Sequence, residues 1–260
     1  MPYPLNGWAK QDADMAPLPL AMQTLVDAAW QEVVDHPEFG LRPITRRQLY
    51  LYLQSTEPIR ASYIWGWAAL LTAQRVLPLF EQSLPNERLP SRLVTLADRV
   101  LLGRLPSSSW RISIYLEHAY HATGNSYGYD ELELSTSAWC AGAAAYHALR
   151  EVCGSTPLRS LNQITIVRSQ QHVATDKLTD VDIGFCGQGD AAGMAALVYA
   201  TLPDNRPELS RCKDFWSWWL STVIPEAWHR ATAKAAQHAH PADAARGERD
   251  RPDFGSQFRL

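Results

Sequence analysis

The chain has 260 residues and a net charge of −3, with 46% hydrophobic and 20% charged residues. This length suffices for one large domain, and the composition is typical of a folded, water-soluble protein. The weak negative charge argues against a general nucleic-acid binder, which needs a basic face. No apolar run reaches the roughly 18 residues that a membrane helix requires, and the first residues lack the pattern of a signal peptide. We therefore expect a cytoplasmic protein that has neither nucleic-acid nor membrane partners.

Four cysteines, Cys140, Cys153, Cys186 and Cys212, lie far apart and include no C-x-x-C pair. Two of them fall in helical runs rich in alanine and tryptophan, where a free cysteine acts as a small apolar filler. Because no export signal is recognised, the sequence predicts reduced thiols rather than a disulfide framework.

The N-terminal part of the chain shows helical spacing of apolar residues. A helix is predicted for Ala21–His36, where Pro37 ends it, and a weaker one for Pro43–Ser55. The side chains expected to expose polar ends on this second helix are Arg46, Arg47, Tyr50 and Tyr52.

The stretch Thr56–Arg104 reads as a helical hairpin. Pro58 suits the first turn of a helix, Pro85-Asn86 breaks the run, Pro90 reopens it, and Gly103 offers a left-handed stop. One helix carries an apolar stripe at three- and four-residue steps, and the next carries the stripe that faces it. The two stripes consist of Tyr63, Leu70, Ala73, Leu77, Phe80 and Leu84, and of Leu93, Leu96, Ala97 and Val100.

The middle of the chain is less uniform. The segment Ile112–Ala119 matches helical spacing, although its pentad I-S-I-Y-L also fits a strand. A loop is predicted for Gly124–Asp130, and an alanine-rich helix for Leu134–Cys153. From residue 155 to residue 189 the periodicity fades, so we expect mostly irregular chain there, in which I-T-I-V (164–167) could form a short strand.

Three further helices are predicted toward the C-terminus. Asp190 suits the N-cap of an alanine-rich helix that Pro203 terminates, Leu209–Trp219 forms the next helix before Pro225, and the last lies near Glu226–His240. The pattern therefore predicts an all-α fold with a single multi-helical domain over residues 1–240 and a flexible tail over residues 241–260. HEAT-like stacked helical pairs are an open alternative, although no fixed repeat period emerges.

The sequence contains only weak matches to the motifs of catalytic, metal-binding and nucleotide-binding sites. His118 and His121 lie three residues apart, whereas zinc helices prefer a spacing of four with a carboxylate between the histidines. The loop Gly184–Asp190 precedes a helix but lacks the Lys-Ser/Thr of a phosphate loop, and Cys186 has no neighbouring base. We predict no catalytic residues, no metal site and no cofactor.

Acidic residues gather in two segments that have the character of a contact surface. Large aromatic side chains stand beside the first of them, and such side chains dominate the energetics of many interfaces. Paired carboxylates can also serve acid–base chemistry, but no sugar-binding or metal context supports that interpretation. The residues predicted to contact a partner are Tyr127, Tyr129, Asp130, Glu131, Glu133, Asp176, Asp180 and Asp182.

Several segments of the sequence are similar to those of a known protein family. The run W-A-A-L-L-T-A-Q-R-V-L-P-L-F-E (67–81), the proline-marked turn after it and R-L-V-T-L-A-D (92–98) resemble the Imm5-type immunity proteins of bacterial polymorphic toxin systems. The similarity returns in the helix around Trp139–Ala148 and in T-D-V-D-I followed by D-A-A-G-M-A-A-L-V-Y-A (179–183 and 190–200). From Pro225 onward the resemblance finds no counterpart.

The resemblance implies a cytoplasmic all-α protein that neutralises a cognate toxin protein by binding it. It implies neither the toxin's chemistry nor the residues that touch it, and the oligomeric state stays open. Two other classes remain as alternatives, namely a helical scaffold that binds an unrelated protein and an uncharacterised metal-dependent enzyme.

Overall fold

The computed structural model describes residues 17–38, 40–120, 136–155, 157–158, 161–163, 167–168, 171–185, 189–201 and 209–238. Over these ranges the chain is mainly helical. The first helices are α1 (Leu20–Asp35), α2 (Pro43–Thr56), α3 (Pro58–Ser83), α4 (Leu89–Leu101) and α5 (Trp110–Ala119). The later ones are α6 (Thr136–Val152), α7 (Asp180–Phe185), α8 (Ala191–Ala200), α9 (Leu209–Trp218) and α10 (Ile224–His238). The prediction of an all-α fold is confirmed.

The hairpin predicted from the proline pattern is present as α3 and α4. Pro58 and Pro90 occupy the first turns of their helices, where a missing N–H has no helical partner to lose. Gly103 has a φ of 70° and ends the second helix in the left-handed conformation. Leu70, Phe80 and Leu93 from the two predicted stripes are fully buried.

Helix α3 is the centre of the fold. It spans 26 residues and packs against α2, α4, α6, α8 and α10. Its closest partner is α6, whose alanines are buried along the interface. A side chain at Gly142 would meet the Phe80 ring at 3.2 Å, so the small residue lets this aromatic ring lie against the α6 backbone. HEAT-like stacking and the domain boundary at residue 240 stay predictions, and the tail 241–260 lies outside the described residues.

The tryptophans of α9 and the turn after it build the core. Trp216 and Trp219 are each 1% exposed, and their rings meet edge to face with centroids 5.6 Å apart. Trp219 also meets Trp65 of α3 at 6.0 Å and donates its indole N–H to the Thr72 hydroxyl at 3.2 Å. These side chains therefore anchor the interior rather than a binding surface.

Pro225 does not separate two helices, contrary to the sequence prediction. Helix α9 continues through a π-helical turn, Trp219–Val223, directly into α10. The Trp219 carbonyl accepts the N–H of Ile224, five residues on. Such a wider turn re-routes the backbone hydrogen bonds next to a proline, whose missing N–H would otherwise leave a carbonyl unpaired.

The region from residue 155 to 189 holds more structure than the fading periodicity indicated. Val167–Arg168 (β1) and Gln171–His172 (β2) form a short antiparallel pair, with Val167 opposite His172. Of the predicted strand I-T-I-V, only Val167 lies in β1, and residues 164–166 are outside the described ranges. Helix α7 was not predicted, because six residues are too few to show a helical period. The α5 segment is a helix, which resolves the strand alternative.

Candidate functional site

The acidic segment 176–182 divides into one exposed carboxylate and two that are held by the protein. Asp176 lies in a 3₁₀ turn, Thr175–Lys177, and is exposed. Asp182 is buried, and its carboxylate accepts the N–H and the hydroxyl of Thr179, both at 2.8 Å. The Thr179 hydroxyl in turn accepts the Asp182 N–H at 3.4 Å, so the two residues form a capping box at the start of α7. Asp180 points inward, toward α2.

Arg46 of α2 is the partner of Asp180, and its guanidinium is completely buried. The group donates to Asp190 through Nε at 2.9 Å and Nη2 at 2.8 Å, which is a bidentate arrangement. Nη2 also donates to Asp180 at 2.5 Å, and Nη1 donates to the Leu41 carbonyl at 2.6 Å. The Trp216 ring covers the guanidinium at 5.2 Å. We call Arg46, Asp180 and Asp190 the buried ion cluster.

The two carboxylates stabilise the Arg46 cation, although burial and the charge of Asp190 hold the pKa of Asp180 above its ordinary value. Burial alone would lower the pKa of Arg46, but the carboxylates of Asp180 and Asp190 outweigh it and raise that pKa above its ordinary value. The expectation that Arg46 exposes a polar end is therefore wrong, and Tyr50 is likewise buried. The burial of Arg46 could be predicted in part, because Arg46 lies on the same helical face as Leu49 and Leu53, both of which are buried.

Helix α8 closes over the ion cluster at its N-terminus. The predicted N-cap is confirmed, because the Asp190 carboxylate accepts the Gly193 N–H at 3.0 Å. A Cβ at Gly193 would lie 2.2 Å from the Asp180 carboxylate and 2.8 Å from Arg46 Nη2. Glycine is therefore required at this position if the helix is to approach the cluster so closely.

Glu151 and His147 of α6 border the same region. The Glu151 carboxylate accepts the Ala191 N–H at 2.8 Å. Burial, together with the nearby charge of Asp190, raises the pKa of Glu151 well above its ordinary value. Burial, aided by the charge of Arg150, lowers the pKa of His147 to about 3. His147 is thus uncharged at neutral pH, and the raised pKa of Glu151 favours its neutral form, which limits the charge of the buried region.

Asp176 stands at the rim of a cavity between α1 and α2. The cavity has a volume of about 270 Å³ and is lined by both apolar and charged residues, including Leu25, Ile44, Glu32 and Arg42. Arg42 forms a salt bridge with Glu32 at 3.0 Å, and the Thr45 hydroxyl donates to the same carboxylate at 2.5 Å. The exposed member of the predicted acidic surface therefore borders a preformed depression.

The other predicted contact residues cannot be placed beside Asp176. Tyr127, Tyr129, Asp130, Glu131 and Glu133 lie outside the described residues, so their grouping with the 176–182 segment stays a prediction. Asp180 and Asp182 lie in that segment, but the structure directs their carboxylates to partners within the protein.

Groups that could carry chemistry are scarce in the part of the chain that the structure describes. No set of three or more histidine, cysteine or acidic side chains is placed to hold a metal ion there. Burial raises the pKa of Cys140 to about 12 and the pKa values of Cys153 and Cys212 to about 11, which disfavours the thiolate. His121 and Cys186 are outside the described ranges. None of the described helices is long and apolar enough to cross a membrane.

These features define an all-α protein in which the most elaborate polar arrangement is buried and structural. A family model described as immunity protein Imm5 matches residues 21–226, from α1 to the start of α10. The chain therefore belongs to the Imm5 family of immunity proteins, as the sequence resemblance implied. No curated protein sequence matches the chain at a significant level.

The first prediction concerns the guanidinium of Arg46. Replacing it with methionine leaves the carboxylates of Asp180 and Asp190 buried without their cation, so Arg46→Met should lower the free energy of unfolding by about 3–5 kcal/mol. The matched control is Arg60→Gln, which breaks a half-exposed salt bridge with Glu57 and should cost at most about 1 kcal/mol. Urea unfolding measures both, and equal losses would contradict a structural role for the cluster.

The second prediction concerns pH. Unfolded His147 takes up a proton below about pH 6.5 while native His147 does not, so it opposes folding increasingly as pH falls. Native Glu151 keeps its proton above the pH at which the unfolded residue ionises, so it opposes folding increasingly as pH rises. Relative to the wild type, His147→Phe should gain up to about 2 kcal/mol between pH 6.5 and pH 5, and Glu151→Gln should gain stability from pH 5 to pH 7.

Urea unfolding at pH 5, 6 and 7 checks this pair of variants, with each compared with the wild type at the same pH. The test is that the stability gained by the two variants changes with pH in opposite directions. A purely structural effect of either substitution would shift the free energy of unfolding equally at all three pH values. Parallel profiles for the two variants would contradict the assigned protonation states.

Proposed function

We propose that this protein neutralises a cognate toxin in the cytoplasm by binding it and covering its working surface. The family match over residues 21–226 carries the proposal. The architecture is compatible with it, since the Arg46 guanidinium of the buried ion cluster is covered by Trp216 and held by carboxylates of the protein itself.

We further propose that the contact surface includes Asp176 and the predicted loop residues. Asp176 is exposed and borders the cavity between α1 and α2, which can accept a protruding side chain of a partner. Clustered carboxylates would speed encounter with a basic cleft of the kind that attacks nucleic acids or nucleotides. The proposed loop contacts are Tyr127, Tyr129, Asp130, Glu131 and Glu133.

Asp180 and Asp182 contribute to this proposed surface indirectly. Asp182 caps α7 and Asp180 ties α7 to Arg46, so both hold the Thr175–Lys177 turn that carries Asp176. Reversing their charges would disturb the fold as well as any interface. A test of binding therefore has to change the exposed carboxylates only.

The third prediction uses the candidate cognate toxin, a toxic C-terminal domain to be sought in the open reading frame upstream and produced in an inactive form. The wild-type protein should bind this domain and protect cells that express its active form. Asp176→Lys combined with Asp130→Lys, Glu131→Lys and Glu133→Lys should weaken binding at least about tenfold, or about 1.4 kcal/mol, and reduce protection. Isothermal titration calorimetry and a growth assay measure the two effects.

The matched control is Asp214→Lys, which reverses an exposed carboxylate on α9 and should leave binding unchanged. Unchanged affinity of the multiple variant would show that toxin is bound by another face. A wild-type protein that neither binds this domain nor protects cells would refute the proposed function and favour a helical scaffold for another protein. Protection without a complex would favour enzymatic modification of the toxin.

A further inference from the structure

Helix α4 carries a row of arginines along its solvent-exposed side. Arg88, Arg92 and Arg99 are all exposed and follow one another at spacings of four and seven residues, which places them on one helical face. At about 1.5 Å per residue the row is about 16 Å long. The opposite face of α4 is buried through Leu93, Leu96 and Ala97, among others.

The arginine row has no carboxylate partner in the part of the chain that the structure describes. Among the described residues no ion pair involves Arg88, Arg92 or Arg99. The nearby carboxylate of Glu87 accepts the Leu89 N–H at 2.7 Å instead. These guanidinium groups are thus open to an external anion.

The stability of helix α4 does not explain the positions of Arg88 and Arg92. Arg88 occupies the N-cap of α4 and Arg92 follows within about one turn, while the first turn holds no acidic residue. Positive charge near a helix N-terminus opposes the macrodipole, and two like charges four residues apart repel each other. Arg88 and Arg92 therefore disfavour the helix that carries them, which points to a role outside the fold, whereas Arg99 lies in the last turn and complements the macrodipole.

Exposed apolar side chains follow the arginine row along the chain. Leu102, next in the helical row after Arg99, is 44% exposed. The chain then turns into α5, where Trp110 is 68% and Ile114 is 40% exposed. These two lie four residues apart, on the side of α5 opposite the buried Ile112 and Ala119. The Arg111 guanidinium lies 5.8 Å from the centre of the Trp110 ring and adds positive charge beside it.

We propose that Arg88, Arg92, Arg99, Trp110 and Ile114 form a second docking surface, which binds a carboxylate-rich face of the toxin. This inference rests on the proposed function. Arginine and tryptophan are the residue types in which binding hot spots are most enriched, and a guanidinium fork matches a carboxylate in a bidentate manner. The charge of the row selects an acidic partner, and the exposed apolar side chains favour a protein over a polyanion.

An acidic surface at Asp176 and a basic surface on α4 would together fix how the toxin is oriented. A toxin with a basic cleft facing the acidic surface and carboxylates facing the basic surface can dock in only one orientation. The reversed orientation would bring like charges together. The two surfaces therefore provide specificity as well as affinity.

The experiment measures binding kinetics of the full-length protein with the inactive toxic domain encoded upstream. The triple variant Arg88→Gln, Arg92→Gln, Arg99→Gln should bind about 100-fold more weakly, as expected when two or more hot-spot residues are removed. Its association rate should also depend less on salt, because only the acidic surface at Asp176 is left to steer the encounter. Trp110→Ser should raise the dissociation rate at least about tenfold.

Two controls separate a specific surface from a general effect of charge. The variant Gln54→Glu, Ser55→Glu, Ser221→Glu makes the same change in net charge on exposed positions of α2 and of the turn before α10, which belong to neither proposed surface, and should bind normally. The variant Arg88→Lys, Arg92→Lys, Arg99→Lys should keep the association rate but dissociate faster, because lysine cannot form the bidentate contact. Circular dichroism confirms that each variant is folded.

Unchanged toxin affinity of the glutamine variant, or an equal loss in the glutamate control, would overturn the docking surface while the wild-type complex still supports the proposed function. Absence of a complex with the wild-type protein would contradict both the docking surface and the proposed function. The proposal is also overturned if the glutamine variant loses binding to single-stranded RNA or to phosphatidylglycerol vesicles, or loses self-association, while toxin binding is retained.

Discussion

The buried guanidinium of Arg46 is the constraint on which the arrangement of the helices around α2 depends. A buried arginine is tolerated only when carboxylates and carbonyls surround it, and here these come from the Leu41 carbonyl, Asp180 and Asp190. The pairing fixes α7 and the start of α8 against α2. It also demands glycine at position 193, since any side chain would collide with the ion pair. The exposed turn with Asp176 is held in place by the same interaction.

Much of the helical framework can be predicted from the sequence, because its signals are local. Proline positions and apolar stripes gave the hairpin of α3 and α4, and Asp190 gave the N-cap of α8. The failures have a common cause in long-range contacts. Arg46 reads as a surface residue until its partners, more than 130 positions away, are brought to it. The π-turn before Pro225 is likewise a backbone rearrangement that a proline-stop rule does not anticipate.

The sequence predicts the type of the candidate contact residues but not which of them are exposed. Clustered carboxylates indicated a charged surface, but spacing alone does not tell which carboxylates face inward. Asp180 and Asp182 are used by the fold, whereas Asp176 is exposed beside a cavity. Conversely, the arginines of α4 do not stand out in a chain of net charge −3, and their common exposure becomes visible only once the helix is packed. In the binding mode that we propose, surface charge of both signs contacts the toxin, while the buried arginine is held by two carboxylates.

The central claim is that the protein acts by reversible binding rather than by altering the toxin. Native mass spectrometry of the wild-type protein mixed with the toxic domain, followed by denaturing mass measurement of the dissociated toxin, tests it most directly. The account predicts a complex of fixed stoichiometry and a toxin whose mass is unchanged after release. A toxin of altered mass, or loss of its activity at amounts of immunity protein far below stoichiometric, would contradict it.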